Sequence, residues 1–148
     1  FLSDSNCAQA VLEAFGDVTG LEKSFAAKLA SSFGGGMGRL REVCGAVSGM
    51  FMAAGLLRGS SDLRDKAAKD AHYALIQELA EAFRRENGSI VCRELLGLGA
   101  AQADRPVSEA RTPEYYRKRP CAELVAFAAG LLEEKLKERL RAESGVGQ

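Results

Sequence analysis

The chain has 148 residues, 47% of them hydrophobic, and its 20 basic and 20 acidic side chains give a formal net charge of zero. This length fits one globular domain, 1–148, which can bury a core without disulfides. Because no long basic run is present, nucleic acid is excluded as an expected partner. No apolar stretch is long enough for a membrane span, and the start FLSDSN does not resemble a signal peptide. We therefore expect a cytoplasmic protein, in which isolated cysteines stay reduced.

The first part of the chain carries three helical patterns. Asn6 is a good N-cap for a short apolar helix that begins at Cys7. A second helix is predicted at about 22–32, before the glycine-rich run FGGGMG. A third helix begins at 42 or 43 and runs to 57. Its residues are apolar nearly all round, which predicts a central, buried helix.

Two further helices are predicted before the next long connection. Ser60 or Ser61 can cap a long fourth helix, whose apolar residues recur at helical spacing and which Gly88 ends. Ser89 is then the predicted cap of a short helix. In that helix Cys92 occupies the third position of the first turn.

The final part of the chain is predicted to be a loop followed by one long helix. Residues 97–119 are polar and interrupted by glycine and proline, which is typical of a loop. Pro120 fits the first position of the last helix, directly before Cys121. With no convincing strand, the sequence predicts an all-α, single-domain bundle of about five to six helices. The apolar spacing and salt-bridged tail of the last helix also permit a homo-oligomer formed through it.

Four single cysteines, Cys7, Cys44, Cys92 and Cys121, each lie near a predicted helix N-terminus. If the long helices alternate up and down, all four helix starts lie at one end of the bundle. Unpaired backbone N–H groups and the positive end of the helix dipole favour thiolate over thiol at such positions. We therefore expect the four sulfurs to converge on a redox or metal-thiolate centre.

The residues around these cysteines resemble a known family. The segments NCAQAV, FGGGMGRLREVCGAVSG, SIVCRELLG and PCAELV look like those of the redox-active bacterial and archaeal proteins labelled C_GCAxxG_C_C. The resemblance covers nearly the whole chain, and its core element is Cys-Gly-Ala-x-x-Gly at 44–49. It implies a redox-active or cofactor-binding protein that uses Cys7, Cys44, Cys92 and Cys121, and no particular reaction.

Several chemistries remain open for four converging thiols. Four thiolates suit zinc or an iron–sulfur cluster, with Gly45 as a further candidate for cofactor binding. The negative charge of such a site could be offset by four arginines that each lie near a cysteine in sequence, Arg39, Arg41, Arg93 and Arg119. Two cysteine pairs could instead cycle between dithiol and disulfide with an unknown redox partner. A different class of function is a non-enzymatic helical scaffold with buried structural cysteines, since free cysteine is often buried as a small hydrophobe.

Overall fold

The computed structural model describes residues 1–99 and 104–145, and it confirms the all-α fold class. In these two ranges the only β pairing is one isolated antiparallel bridge between Val43 and Val91. The helices in chain order are α1 (Cys7–Ala14), α2 (Gly16–Thr19), α3 (Lys23–Ala30), α4 (Gly34–Met37), α5 (Gly45–Arg58), α6 (Lys66–Asn87), α7 (Cys92–Leu95), α8 (Pro113–Lys118) and α9 (Cys121–Gly145).

The hydrophobic core lies along α5, and α1, α6 and α9 pack against it. The prediction of a central, buried helix is therefore confirmed for this segment. Among the described residues, no helix combines the length with the apolar character needed to cross a membrane. The largest side chains that are fully buried come from these four helices and are Val11, Leu12, Val47, Met50, Leu75, Leu79, Phe83 and Leu132.

The start of α1 is fixed by a reciprocal cap. The Asn6 side chain accepts a hydrogen bond from the Gln9 N–H at 2.9 Å, and the Gln9 side chain accepts one from the Asn6 N–H at 2.8 Å. The Asn6 amide also donates to the Ser31 carbonyl at 3.2 Å, which ties α1 to the end of α3. The predicted cap is confirmed, and it makes Cys7 the first residue of α1.

The predicted cap of the long fourth helix is wrong. The Ser60 hydroxyl accepts from the Asp62 N–H, and the Asp62 carboxylate accepts from the Arg64 N–H, so these residues form a local turn. The cap is Asp65, whose carboxylate accepts from the Ala68 N–H at 2.9 Å. The predicted stop at Gly88 is confirmed by its left-handed backbone, with φ of 87°.

The short helix around Cys92 begins later than predicted. The Ser89 hydroxyl accepts from the Val91 N–H at 2.9 Å, so it closes a turn rather than capping a helix. Val91 is extended because it pairs with Val43 across the isolated bridge. Cys92 is consequently the first residue of α7 and not the third.

The predicted loop at 97–119 contains a helix, α8. The Thr112 hydroxyl caps it by accepting from the Tyr115 N–H at 3.2 Å, and Pro113 takes the first helical position. A backbone N–H at the first helical position has no intrahelical acceptor, so proline loses no hydrogen bond there. The interpretation of Pro113 as a helix breaker was therefore wrong. Residues 100–103 of the predicted loop lie outside the described residues.

Candidate functional site

The four cysteines line one small cavity. Cys7, Cys92 and Cys121 are the first residues of α1, α7 and α9, and Cys44 immediately precedes α5. All four border a cavity of about 50 Å³. Cys7 is half-buried and the other three are buried. The chain thus concentrates four helix starts and four thiols at one place.

The bridge between Val43 and Val91 sets two of these cysteines side by side. The Cys44 N–H donates to the Ile90 carbonyl at 2.8 Å, and the Cys92 N–H donates to the Glu42 carbonyl at 2.6 Å. Each cysteine directly follows a bridge residue, and side chains alternate between the two faces of an extended segment. Cys44 and Cys92 therefore lie on the same face of the bridge.

Two glycines let the backbone approach the cysteines closely. A Cβ added at Gly45 would lie 2.9 Å from the Phe33 carbonyl oxygen and 3.0 Å from the Cys7 Cβ. A Cβ added at Gly36 would lie 2.6 Å from the Cys92 Cβ, and φ of 68° is a further reason for glycine there. Gly45 thus has a steric role in the site, and its predicted contact with a cofactor stays a prediction.

Arg41 connects the thiol cavity to a neighbouring carboxylate. Its side chain is only 4% exposed, and its Nη1 lies 3.7 Å from the Cys92 Sγ. The same guanidinium is ion-paired with Asp104. Arg41 lies at the end of the glycine-rich turn and has a positive φ of 62°. The conformation of this turn places the Arg41 side chain beside the cavity.

Residues 104–119, here called the cover segment, pass over the cavity. Asp104 pairs with Arg39 at 2.7 Å and with Arg41, while Glu109 pairs with Arg119. Arg111, Tyr115 and Arg119 of this segment also line the cavity. The cover segment therefore contributes two guanidinium groups and one aromatic ring to the surroundings of the thiols.

Arg111 is held mainly by aromatic rings. Its guanidinium carbon lies 4.9 Å from the ring centres of both Phe1 and Tyr115. One amino group, Nη2, donates to the Ser5 carbonyl at 3.4 Å. The other, Nη1, is buried and has no hydrogen-bond acceptor among the residues that the structure describes.

A hydrogen bond between Cys7 and Cys121 shifts the pKa values of the two thiols in opposite directions. The Cys7 thiol donates to the Cys121 sulfur, and this bond, reinforced by the charges of Arg119, Arg111 and Arg41, lowers the pKa of Cys121 to about 7. The same bond, together with burial, raises the pKa of Cys7. At neutral pH the pair therefore combines a substantial fraction of Cys121 thiolate with a protonated Cys7.

The other two cysteines favour the neutral thiol. Burial raises the pKa of Cys44 to about 11, although hydrogen bonds from the backbone N–H groups of Ala46 and Val47 oppose the shift. Burial also raises the pKa of Cys92, against the opposing effect of Arg41. The four cysteines are thus chemically unequal, and Cys121 is the strongest candidate for a nucleophile.

Of the four arginines predicted from the sequence, Arg41 and Arg119 line the cavity, whereas Arg39 and Arg93 do not line it in the described structure. Arg39 binds the cover segment by donating to Asp104 and to the Arg105 carbonyl at 2.9 Å. Arg93 donates to the Gly99 carbonyl at 2.8 Å. Their predicted roles in cofactor binding stay predictions. The sequence reasoning missed Arg111, because no local pattern connects it with the thiols.

The four cysteine sulfurs are of the chemical type that binds a soft metal, but their positions do not match a metal site. Four cysteine sulfurs are the usual ligands of structural zinc and of iron–sulfur clusters. Within residues 1–99 and 104–145, however, no group of three or more His, Cys, Asp or Glu side chains is arranged to hold a metal ion. Ligation of zinc or an iron–sulfur cluster by Cys7, Cys44, Cys92 and Cys121 stays a prediction that this geometry does not favour.

Comparison with known proteins gives one result that agrees with the four-cysteine pattern. The family model described as "Putative redox-active protein (C_GCAxxG_C_C)" matches residues 5–135. The chain belongs to this family. No curated protein and no solved structure matches it. All four cysteines of the C_GCAxxG_C_C protein lie within the matched range, as do Arg41, Arg111 and Arg119.

Proposed function

We propose that this C_GCAxxG_C_C protein is a redox-active dithiol protein whose working couple is Cys7 and Cys121. The observation that carries the proposal is that Cys7 and Cys121 line the same small cavity, where their interaction lowers the pKa of Cys121 and raises that of Cys7. A nucleophilic thiolate beside a protonated second thiol is the arrangement that thiol–disulfide exchange requires. Membership of a redox-active family supports this class of function.

The exchange with a small disulfide proceeds in two balanced steps. The Cys121 thiolate attacks one sulfur of the disulfide, whose S–S bond breaks, and the other sulfur leaves as a thiolate. Cys7 gives its proton to that thiolate and then, as a thiolate itself, attacks the Cys121 sulfur. The mixed S–S bond breaks and the second sulfur of the reagent leaves as a thiolate. The protein has then lost two electrons and holds a disulfide between Cys7 and Cys121. A reducing dithiol partner returns it to the starting state.

The surroundings of the thiols support this function over a structural scaffold. Cysteines that served only as small hydrophobes would be expected among apolar side chains. Here Arg41, Arg111 and Arg119 line the same cavity as the sulfurs. Arg41 and Arg119 are paired with Asp104 and Glu109, whereas the buried Nη1 of Arg111 has no acceptor among the described residues. A buried donor without a partner is costly, so Arg111 favours a site that carries negative charge in at least one state.

Trapping with bis(2-hydroxyethyl) disulfide tests the assigned roles. In the Cys7→Ser variant the serine hydroxyl still donates to Cys121, but no second thiol is present to resolve the adduct. We expect a stable mixed disulfide on Cys121, measured by peptide mass spectrometry. The matched Cys121→Ser variant should form such an adduct at least about tenfold more slowly, because the remaining thiols have raised pKa values. Equal trapping in both variants would overturn the assignment of Cys121 as the nucleophile.

A further inference from the structure

The dimensions of the thiol cavity restrict which oxidants can reach Cys121. The cavity holds about 50 Å³, and one buried water needs about 10–15 Å³. Only a few atoms therefore fit beside the sulfurs at one time. Cys121 is 9% exposed. A peptide disulfide or a protein partner would have to displace the cover segment before it contacted the sulfur.

The cover segment is attached by contacts that oppose such displacement. Asp104 pairs with both Arg39 and Arg41, and Arg39 also lies 3.7 Å from Glu109. Its aromatic side chains add edge contacts, including one between Phe1 and Tyr116 with ring centres 5.8 Å apart. Several charge pairs in a network hold a segment better than an isolated surface pair does.

The cavity also contains hydrogen-bond donors suited to an oxygen atom that gains negative charge. Arg111 has a buried Nη1 without an acceptor in the described part of the chain. The guanidinium carbon of Arg119 also lies over the Tyr115 ring, 4.8 Å from its centre. Donors fixed in advance stabilise developing charge more effectively than water does. Both guanidinium groups line the cavity that contains the reactive sulfur.

We propose that the oxidant of this site is a small hydroperoxide, with hydrogen peroxide as the reference substrate, and that Arg111 is a catalytic residue for its reduction. This inference rests on the proposed Cys7–Cys121 couple and adds the chemical class of the substrate. A hydroperoxide has the small reacting group that the cavity admits. Its reduction expels hydroxide or an alkoxide, which is the charge that a guanidinium donor stabilises.

The reaction balances with the groups present. The Cys121 thiolate attacks one oxygen of hydrogen peroxide, the O–O bond breaks, and hydroxide leaves while Cys121 becomes a sulfenic acid. The Cys7 sulfur then attacks the Cys121 sulfur, and the sulfenic oxygen departs with the Cys7 proton. The products are the Cys7–Cys121 disulfide and water once the hydroxide is protonated. Two electrons have passed from the two thiols to the peroxide.

A comparison of oxidants tests the inference on the unaltered protein. Reduced protein is mixed with hydrogen peroxide, bis(2-hydroxyethyl) disulfide or oxidised glutathione, and disulfide formation is followed by alkylation and mass spectrometry. Rates are compared at equal thiolate fraction. We expect hydrogen peroxide to react at least about tenfold faster with Cys121 than with free cysteine. Oxidised glutathione should react more slowly with Cys121 than with free cysteine. If disulfide reagents link Cys7 to Cys121 but peroxide shows no such advantage, the hydroperoxide inference fails and the dithiol function stands. If no oxidant links them, both fail.

Substitution of Arg111 tests its catalytic role separately from its effect on acidity. The rates with peroxide are compared on the high-pH plateau, where Cys121 is fully ionised in every variant. There Arg111→Ala should lower the rate by at least about tenfold, and Arg111→Lys should recover part of the loss. Arg117→Ala removes an exposed charge from the same cover segment and should leave the rate unchanged. A plateau rate equal to that of the wild type in Arg111→Ala would remove Arg111 from the mechanism.

Discussion

Replacing Cys7 with alanine tests the hydrogen bond that sets the acidity of Cys121. This bond is the largest cause of the lowered pKa of Cys121, ahead of the nearby guanidinium charges. A hydrogen bond to a charged group contributes about 1.5–3 kcal/mol. Since one pKa unit corresponds to about 1.4 kcal/mol, Cys7→Ala should raise the pKa of Cys121 by at least about one unit, toward the ordinary thiol value of about 8.5.

The rate of alkylation by iodoacetamide as a function of pH measures this change. The Cys121 peptide is quantified by mass spectrometry, and its labelling rate should reach half of its maximum near pH 7 in the wild type, because the pKa of Cys121 is about 7. In Cys7→Ala the midpoint should move upward. In the matched Cys7→Ser variant it should move by less than about half a unit, since a hydroxyl also donates. A Cys7→Ala profile that overlays the wild-type profile would show that Cys7 does not lower the pKa of Cys121.

Three further predictions concern packing, charge and metal binding. Gly49→Ala would place a Cβ 2.6 Å from a backbone oxygen of α1 and should lower the free energy of unfolding, measured by denaturant titration, by about 1–3 kcal/mol. In the control Gly55→Ala, in the same helix, the added Cβ meets nothing closer than 4.0 Å. This control should leave the free energy of unfolding unchanged or raise it. Asp104→Asn should lower the free energy of unfolding by about 2 kcal/mol, because it leaves the buried Arg41 without its carboxylate. The control Asp70→Asn, at an exposed ion pair, should change the free energy of unfolding by less than about 1 kcal/mol. Hydrogen bonds from Arg39 and Arg41 lower the pKa of Asp104 against the opposing effect of burial. The stabilisation by the Asp104 carboxylate is therefore present above a pH of about 4, and it should be lost as the pH falls through the folded-state pKa of Asp104. Cobalt(II) added to the reduced protein should give no sulfur-to-metal absorption band, and a strong band would indicate a thiolate metal site.

The helix starts at Cys7 and Cys121 could be predicted because their signals are local. A capping residue or a proline immediately precedes each cysteine, and both side-chain hydrogen bonds and fixed φ act within a few residues. The buried character of α5 was also predictable, since its composition is apolar on every face. These signals describe individual helices, and they carry no information about which charges meet the thiols.

The arginine environment could be predicted only in part from the sequence, because long-range pairing completes it. Asp104 lies 63 positions from Arg41, and only the fold brings the two together. Arg111 belongs to a segment that its glycines and prolines identified as a loop. Proximity in sequence to a cysteine suggested Arg41 and Arg119, which line the cavity, but equally Arg39 and Arg93, whose described side-chain hydrogen bonds go to Asp104 and to the Gly99 carbonyl. The division of roles among the four cysteines depends on these charges and therefore emerged only from the structure.

The identity of the first disulfide formed tests whether Cys7 and Cys121 are the redox couple. The reduced protein is equilibrated in glutathione buffers of increasing potential, quenched in acid, alkylated and mapped by peptide mass spectrometry. We expect the first disulfide to link Cys7 to Cys121, while Cys44 and Cys92 are still alkylated as free thiols. A first disulfide between Cys44 and Cys92, or four free thiols at every potential, would contradict it.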